Sequence, residues 1–370
     1  MTLPLPIQTT LLRYQAEIQA ALRRAVESMK ARREDEAAAN DLRSFYGQMA
    51  YHLGWVDADF APIAVNAGKL LRPALALLAY EAAGAWGLDT TDNQHLSRAL
   101  PAAAAIELTH NFTLIHDDIE DGDSERHHRP TVWKQWGIPQ AINTGDGLFA
   151  LSRLTLWGVL EEGVDGLIAA RLGEELDRAC LTVAEGQFLD LSFERQQDVA
   201  VKQYIDMIER KTAALMAGAA AMGALLGTRD RETIERLHNF GHAIGIAFQV
   251  RDDLLGVWAS TAQSGKTEAG DIYRRKKSLP LLHALEHANA EDQRYLREVY
   301  HQEAPISSEQ VKHVLTIFAR TETRAYCRAF LVEQCRLAHA ALASVPHTGT
   351  AVSTRALQDM EMLVRFVQEQ

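Results

Sequence analysis

The residues of this chain with the clearest capacity for chemistry form two acidic clusters. The first reads His116-Asp117-Asp118-Ile119-Glu120-Asp121. On a helix turning about 100° per residue, Asp117 and Asp121 lie about 40° apart, and His110, seven residues back, falls about 20° from Asp117. Carboxylates four apart repel one another. The apolar Phe112, Leu114 and Ile115 just before them half-bury the helix, so the cluster costs stability unless a cation sits between the carboxylates. Oxygen-only ligands suit Mg²⁺, which keeps several waters and binds substrate phosphates. The competing reading is a solvated acidic helix end. The second cluster, Phe248-Gln249-Val250-Arg251-Asp252-Asp253-Leu254-Leu255-Gly256, begins its acidic pair 135 residues after Asp117. It can therefore sit on a separate helix facing the first. Two acidic ends meeting at one cavity could hold a cluster of Mg²⁺ ions and a multiply anionic ligand such as a diphosphate. The alternative is a buried Asp pair held by arginines.

Cations stand on otherwise apolar ground in several places: Lys69 and Arg72 in Gly68-Lys69-Leu70-Leu71-Arg72-Pro73, Arg126 just past the first acidic cluster, Lys211-Thr212, Lys266, and Arg274-Arg275-Lys276-Lys277. Lysine and arginine give charge-assisted hydrogen bonds to phosphate oxygens. Taken singly, each also reads as a surface cation.

The elements that must position these groups read as helices. All ten prolines lie outside residues 140–279, and no strand alternation exceeds four residues. Long helices satisfy that pattern; a turn-rich sandwich does not. The patterning predicts a helical region over 7–61 ending in a loop at 54–62, then a long helix from His95 to about Asp121 interrupted early by Pro101. A polar loop follows over 122–129. Further helices are expected over 144–161, 164–191, 198–227, 230–258, 278–288, 307–343 and 352–368, with a charged loop over 260–277. The expected architecture is all-α, a bundle of ten or more helices in a single structural domain. Residues 1–66 form an N-terminal helical region packed on the core, and 67–370 the main helical domain.

Composition narrows the function. Hydrophobic residues make up 47% and charged residues 24%, an ordinary globular balance. The net charge of −11, with no long basic run to offset it, speaks against nucleic acid. Three cysteines, Cys180, Cys327 and Cys335, carry no ligand-like spacing and fit a reducing compartment. Met1–Pro6 lacks a basic start followed by an apolar core, so no signal peptide is expected. The longest uncharged run, the seventeen residues Thr212–Thr228, is rich in Ala and Gly. It reads as a closely packed buried helix rather than a membrane span, which takes about 20 strongly apolar residues. A cytoplasmic protein without a transmembrane segment is expected.

Taken together, the motifs resemble the trans-isoprenyl diphosphate synthases, the polyprenyl synthetase family. They run in family order from Gly68 to about Leu285: GKLLRP, ELTHNFTLIHDDIED, Arg126 followed by RPT at 129–131, INTGDGLFA, EGQFLDL, KTAAL, FQVRDDLLG and DIYRRKKSLPLL. The resemblance implies an isoprenoid-synthase helical bundle around a central cavity. It implies a Mg²⁺-dependent condensation of isopentenyl diphosphate with an allylic diphosphate, with three ions per active site when substrate is bound, and a homodimer. Asp117, Asp121 and Asp252 match the metal ligands, supported by Asp118 and Asp253. Lys69, Arg72 and His110 match positions holding the diphosphate of isopentenyl diphosphate. Arg126, Lys211, Thr212, Gln249, Lys266 and Lys276 match positions around the allylic diphosphate, and Gln187 and Asp190 match an element near the reacting carbons.

Two departures stand out. His127 and His128 replace an arginine and a glycine of the family pattern, and the missing arginine normally helps to bind isopentenyl diphosphate. Arg129 is a possible substitute. Gly256 stands where many members carry Asp. Product length in the family depends on residues four and five before the first acidic motif, here Thr113 and Phe112. The aromatic at the fifth position resembles synthases making the C20 geranylgeranyl diphosphate, with C15 farnesyl diphosphate as the next choice. The rivals are a class I terpene cyclase and a non-catalytic partner subunit of a synthase.

Overall fold

The computed structural model describes residues 5–31, 39–63, 68, 70–87, 93–196, 198–259 and 268–369. Lys69 and Lys266, both expected to hold diphosphate, lie outside these residues.

The architecture is all-α. The helices are α1 (Leu5–Ala31), α2 (Ala39–His52), α3 (Leu71–Ala82), α4 (Leu100–Glu120), α5 (Val132–Trp136), α6 (Ile138–Leu156), α7 (Gly166–Arg195), α8 (Val201–Ile208), α9 (Ala214–Gly227) and α10 (Arg231–Trp258). A short turn of helix, α11 (Gly270–Tyr273), precedes α12 (Leu279–His287), α13 (Ala290–His301), α14 (Ser308–Arg320), α15 (Thr323–Ala343) and α16 (Ala351–Gln368). Among the described residues the one sheet is a two-residue hairpin, Glu125–Arg126 paired with Arg129–Pro130. It starts in the expected 122–129 loop and ends one residue beyond it, at Pro130.

Several boundaries differ from expectation for identifiable reasons. The long helix begins at Leu100, not His95, because Pro101 sits in its first turn, where a missing N–H costs nothing. Residues 93–98 form a separate 3₁₀ segment. The expected 307–343 helix is two, parted where Glu322 takes the left-handed conformation at φ 52°. The 290–301 helix was not expected; its start is fixed by Asn289, whose side chain accepts from the Glu291 and Asp292 amides. The 198–227 stretch is α8 and α9 joined by a π turn over Glu209–Ala213.

The centre of the molecule is α9. Its side chains are almost all buried Ala, Gly, Leu and Met, so it packs by backbone approach rather than by interlocking large side chains. A Cβ on Gly223 would lie 2.0 Å from the Ala76 carbonyl oxygen of α3, and one on Gly241 of α10 would lie 2.6 Å from the Met216 carbonyl oxygen of α9. The Thr212–Thr228 run is therefore a core helix. No helix among the described residues is long and apolar enough to cross a membrane.

The N-terminal helix joins the same core through Tyr14, Ile18, Leu22 and Val26. It is also anchored by a buried polar knot. Glu81 of α3, fully buried, accepts hydrogen bonds from Tyr14 Oη at 2.7 Å, Arg13 Nη2 at 3.2 Å and His95 Nε2 at 2.9 Å. Arg13 also pairs with Asp359 of α16 at 2.8 Å. Cys180, Cys327 and Cys335 are free and buried.

Candidate active site

The first acidic cluster occupies the last turn of α4. Asp118 points inward, is 1% exposed, and takes two hydrogen bonds on Oδ1 from Arg126, from Nε at 2.8 Å and Nη2 at 2.7 Å. The hairpin is thereby tied to the helix it follows. Asp117 is half-buried and Asp121 exposed. Burial pushes the Asp117 carboxyl up to about 6, against the pull of Lys211, with Asp121 and Glu120 adding repulsion.

Facing this end are α7 and the π turn. Lys211 donates to Asp190 Oδ2 at 2.7 Å. Its ammonium is desolvated, yet its pKa is raised, because Asp190, Asp117 and Asp121 all act on it. Gln187 donates to Glu120 Oε2 at 2.7 Å. From the other side of the turn, Thr212 Oγ1 donates to Gln249 Oε1 at 3.0 Å, and Gln249 Nε2 to Asp253 Oδ1 at 3.2 Å. A π turn adds a residue to the helix and re-aims the side chains it carries. Here it lets consecutive residues address opposite acidic ends: Lys211 the first, Thr212 the second.

In the second cluster Asp253 is fully buried. Its carboxylate accepts from Tyr204 Oη at 2.5 Å and from the Leu279 amide at 3.3 Å, and Lys276 Nζ stands 3.4 Å away. Lys276 is held firmly protonated: Asp253, Asp271 and Asp252 together outweigh its desolvation. The next residue, Lys277, donates to the carbonyl oxygens of Phe193, Glu194 and Gln196, closing the C-terminal end of α7.

Gly256 has a local explanation. A Cβ there would lie 2.1 Å from Asp271 Oδ2, so the buried Asp271 carboxylate from α11 occupies the space beside α10 that a side chain would need. Gly256→Ala is expected to cost about 1–3 kcal/mol through overpacking, read as a lower urea midpoint. A loss below about 0.5 kcal/mol would show that α11 yields freely.

Behind Arg126 lies a second compartment, a cavity of about 440 Å³ whose walls include Arg72, His110, Asn111, Arg126, His127 and Arg129. Arg72 Nη1 and His110 Nε2 are 3.0 Å apart. Burial and the neighbouring Arg72 and Arg126 hold His110 well below its usual range, so it is neutral. His127 is also lowered, by burial and by Arg126. Arg129 reaches the wall but is committed elsewhere: it donates to the Tyr51 and Val56 carbonyl oxygens at 3.2 and 2.7 Å and covers the Tyr51 ring. It is thus poorly placed to stand in for the family's second arginine.

The structure brings together Asp117, Asp121, Gln187, Asp190 and Lys211 on one side, and Thr212, Gln249, Asp253 and Lys276 on the other. Arg126 faces the Arg72–His110 cavity. Thr113 turns its hydroxyl back onto the His110 carbonyl oxygen at 2.7 Å, and Phe112 packs edge-on against Phe149. Sequence reading missed Tyr204, whose link to Asp253 spans 49 residues and leaves no local signal. It also passed over Asp271, although that residue stands in a quoted motif, just before a basic run.

The donors at the two acidic ends fit a hard cation. They are carboxylates, hard oxygen donors of the kind such an ion prefers. Among the described residues no three acidic, histidine or cysteine side chains close a metal site on their own.

Asp117 gives a pH test. Its folded value lies above the ordinary 3.8, so between about pH 4 and pH 6 the folded chain holds a proton that the unfolded chain has lost. Stability of the cation-free chain therefore falls as pH rises through that window. A divalent cation held by Asp117 would displace the same proton. The melting-temperature gain from MgCl₂ with inorganic diphosphate should be larger at about pH 7.5 than at about pH 5; equal gains would remove Asp117 from cation binding.

Comparison with known proteins agrees with this geometry. Residues 55–318 match the model of the polyprenyl synthetase family. The geranylgeranyl diphosphate synthase of Mycobacterium tuberculosis (strain ATCC 25618 / H37Rv) is 39% identical over 305 residues, covering 82% of this chain and 80% of that one. A (2E,6E)-farnesyl diphosphate synthase of Mycobacterium bovis (strain ATCC BAA-935 / AF2122/97) is 40% identical over 246 residues, 66% of this chain and 65% of that one. The crystal structure of a polyprenyl synthetase from Streptomyces coelicolor A3(2) superposes with a TM-score of 0.83 at 34% identity, covering 98% of this chain and 99% of the other. The chain belongs to the polyprenyl synthetase family, the isoprenyl diphosphate synthases.

Proposed function

We propose that the chain is a trans-prenyltransferase that condenses isopentenyl diphosphate with an allylic diphosphate, head to tail, to give geranylgeranyl diphosphate. The observation that carries this reading is the pairing of two anion sites. One lies between the acidic ends of α4 and α10, with Lys211 and Lys276 beside it; the other is the cavity behind Arg126, walled by Arg72 and His110. A terpene cyclase needs only the first.

The allylic diphosphate sits between the acidic ends. Asp117, Asp121 and Asp252 would hold Mg²⁺ there, three ions with substrate bound, which supply Lewis acidity to the leaving diphosphate. Lys211 and Lys276 place fixed positive charge where negative charge develops as the carbon–oxygen bond breaks. Asp190 orients Lys211; Asp253, itself held by Tyr204 and Gln249, orients Lys276. Isopentenyl diphosphate binds in the second cavity on Arg72, with Arg126 bordering it and His110 and His127 as neutral imidazoles. Its double bond attacks the allylic carbon, and the proton then lost from the adjacent carbon is taken by the departing diphosphate. Lys69 and Lys266 are assigned the same roles from sequence alone.

The chain would act as a homodimer. Leu167, Leu181 and Phe188 of α7 are 64–71% exposed and fall within about 60° of one another on the helix, an apolar stripe for a second copy.

The test is product analysis by mass spectrometry with MgCl₂, isopentenyl diphosphate and, separately, C5, C10 and C15 allylic diphosphates. Elongation stopping at C20 is expected. A hydrocarbon product would favour the cyclase. Folded protein that binds diphosphate without extending any primer would favour a partner subunit, with His127 the first suspect.

A further inference from the structure

Helices α1 and α2 precede residues 55–318, which match the family model, yet both reach the cavity behind Arg126. Gln19 and Leu22 of α1 and His52, the last residue of α2, stand in its wall with Arg72, His110 and Arg126. The end of α2 is stitched to the hairpin that bears Arg126 and His127. Tyr51 Oη donates to the Pro130 carbonyl oxygen at 2.8 Å, and the Tyr51 carbonyl oxygen accepts from Arg129 at 3.2 Å. The His52 ring is itself hydrogen-bonded to the Asn111 backbone. Its Nε2 is buried and has no hydrogen-bond partner among the described residues, and the same holds for Nε of Arg72 in the same wall. Buried nitrogens left unmet cost stability. Two of them at one cavity mark a place for an oxygen-rich ligand.

The charges around the cavity decide the state of this ring. Arg126, His127 and Arg129 face it from the hairpin, Arg72 from α3 and His110 from α4. The acidic groups of the wall are Glu107 and Asp118, both of α4, and Asp118 is taken up by Arg126. Helix α1 brings only the uncharged Gln19 and Leu22, and α5 only Val132. Burial, with repulsion from Arg126, His127 and Arg129, holds the ring down to about 3, so His52 by itself carries no charge. A diphosphate in the cavity reverses that field. Once protonated, the ring has an acceptor for each nitrogen: the Asn111 backbone, whose hydrogen bond favours the charged form, and a diphosphate oxygen at Nε2. The C-terminal end of α2 favours a cation as well. We propose that His52 is a further ligand of the diphosphate of isopentenyl diphosphate and takes up one proton from solvent as that substrate binds. It thereby supplies the positive charge lost with the arginine that His127 replaces. This rests on the synthase reading given above, in which this cavity takes isopentenyl diphosphate.

The test uses the full chain. Binding of isopentenyl diphosphate is followed by calorimetry without MgCl₂, in two buffers of different ionisation heat, which reveals proton uptake. Working above about pH 7.5 keeps the ligand's own last ionisation, at about pH 6, out of the count. About one proton per site should be taken up, and Kd should weaken about tenfold for each pH unit above that point. In steady-state assays with MgCl₂ and the C15 allylic diphosphate, KM for isopentenyl diphosphate should follow the same slope, and KM for the allylic substrate should not. His52→Gln, with its melting temperature recorded alongside, should abolish the uptake, flatten the pH dependence and raise KM for isopentenyl diphosphate about tenfold, the loss of one charge-assisted hydrogen bond. KM for the allylic substrate should stay within about twofold. His127→Arg, which puts a fixed charge beside the ring, should bind isopentenyl diphosphate with less than about half the uptake of the parent, and it decides the matter if His52→Gln does not fold. Binding and elongation by the parent without proton uptake, or uptake unchanged in both variants, would overturn the role of His52 and leave the synthase standing. If the parent chain binds no isopentenyl diphosphate and extends no primer, the synthase reading fails and this proposal fails with it.

Discussion

Asp117→Asn is expected to lower kcat/KM about a thousandfold while leaving the chain folded and, without metal, somewhat more stable. The size follows from losing one preorganised charge at the leaving group, which typically costs 10²–10³ in rate; a thousandfold is about 4 kcal/mol. The stability gain follows from burial, which already pushes the Asp117 carboxyl up to about 6. Folding at neutral pH works against that ionised group, and the amide removes the cost. Steady-state kinetics with both diphosphates, together with urea titration of the metal-free variant, read the two effects. A loss under tenfold, or a destabilised variant, would mean that Asp117 serves the fold rather than the reaction.

Glu81→Ala should do the reverse. Removing this fully buried carboxylate takes away the acceptor of the Tyr14 hydroxyl and a partner of both the His95 ring and the Arg13 guanidinium. Breaking a buried pair in this way typically costs about 3–5 kcal/mol. Glu81 lies nine residues beyond Arg72 on α3, about 13 Å along the axis, so the protein that remains folded should keep its kcat. Urea midpoints measure the loss, and Glu81→Gln, which keeps the shape and one acceptor, should recover part of it. A loss under about 1 kcal/mol would show that the knot is a bystander to the packing of α1 and α16.

The two substitutions also mark what the sequence made legible. Asp117, Asp121, Asp252 and Asp253 stand out because each acidic cluster is a pattern within one helix, and helical spacing is local. The order of the helices was legible for the same reason. What stayed hidden depends on partners far along the chain. Nothing near Glu81 announces Tyr14 or His95, and nothing near Asp253 announces Tyr204. The π turn escaped notice because Glu209–Ala213 has ordinary helix-forming residues, and only the demands of two facing carboxylate clusters explain the extra residue. The break at Glu322 carries neither glycine nor proline. Gly256, which reads as a missing carboxylate, becomes intelligible once Asp271 is seen in its place. Arg129 was the candidate substitute for the missing arginine, and only the backbone carbonyls around it show that it is occupied.

The backbone contacts at Gly223 and Gly241 carry a mechanical consequence. Side chains with many rotamers let neighbouring helices slide by repacking; peptide groups in direct contact offer no such compliance. Helix α3, with Arg72 in its first turn, and α10, with Asp252 and Asp253, are each pressed against α9 in this way. The two proposed diphosphate pockets are thus mounted on one stiff frame, and the gap between them is a constant of the scaffold. In the reaction proposed above, the distance between donor and acceptor carbons then stays the same from one round of elongation to the next.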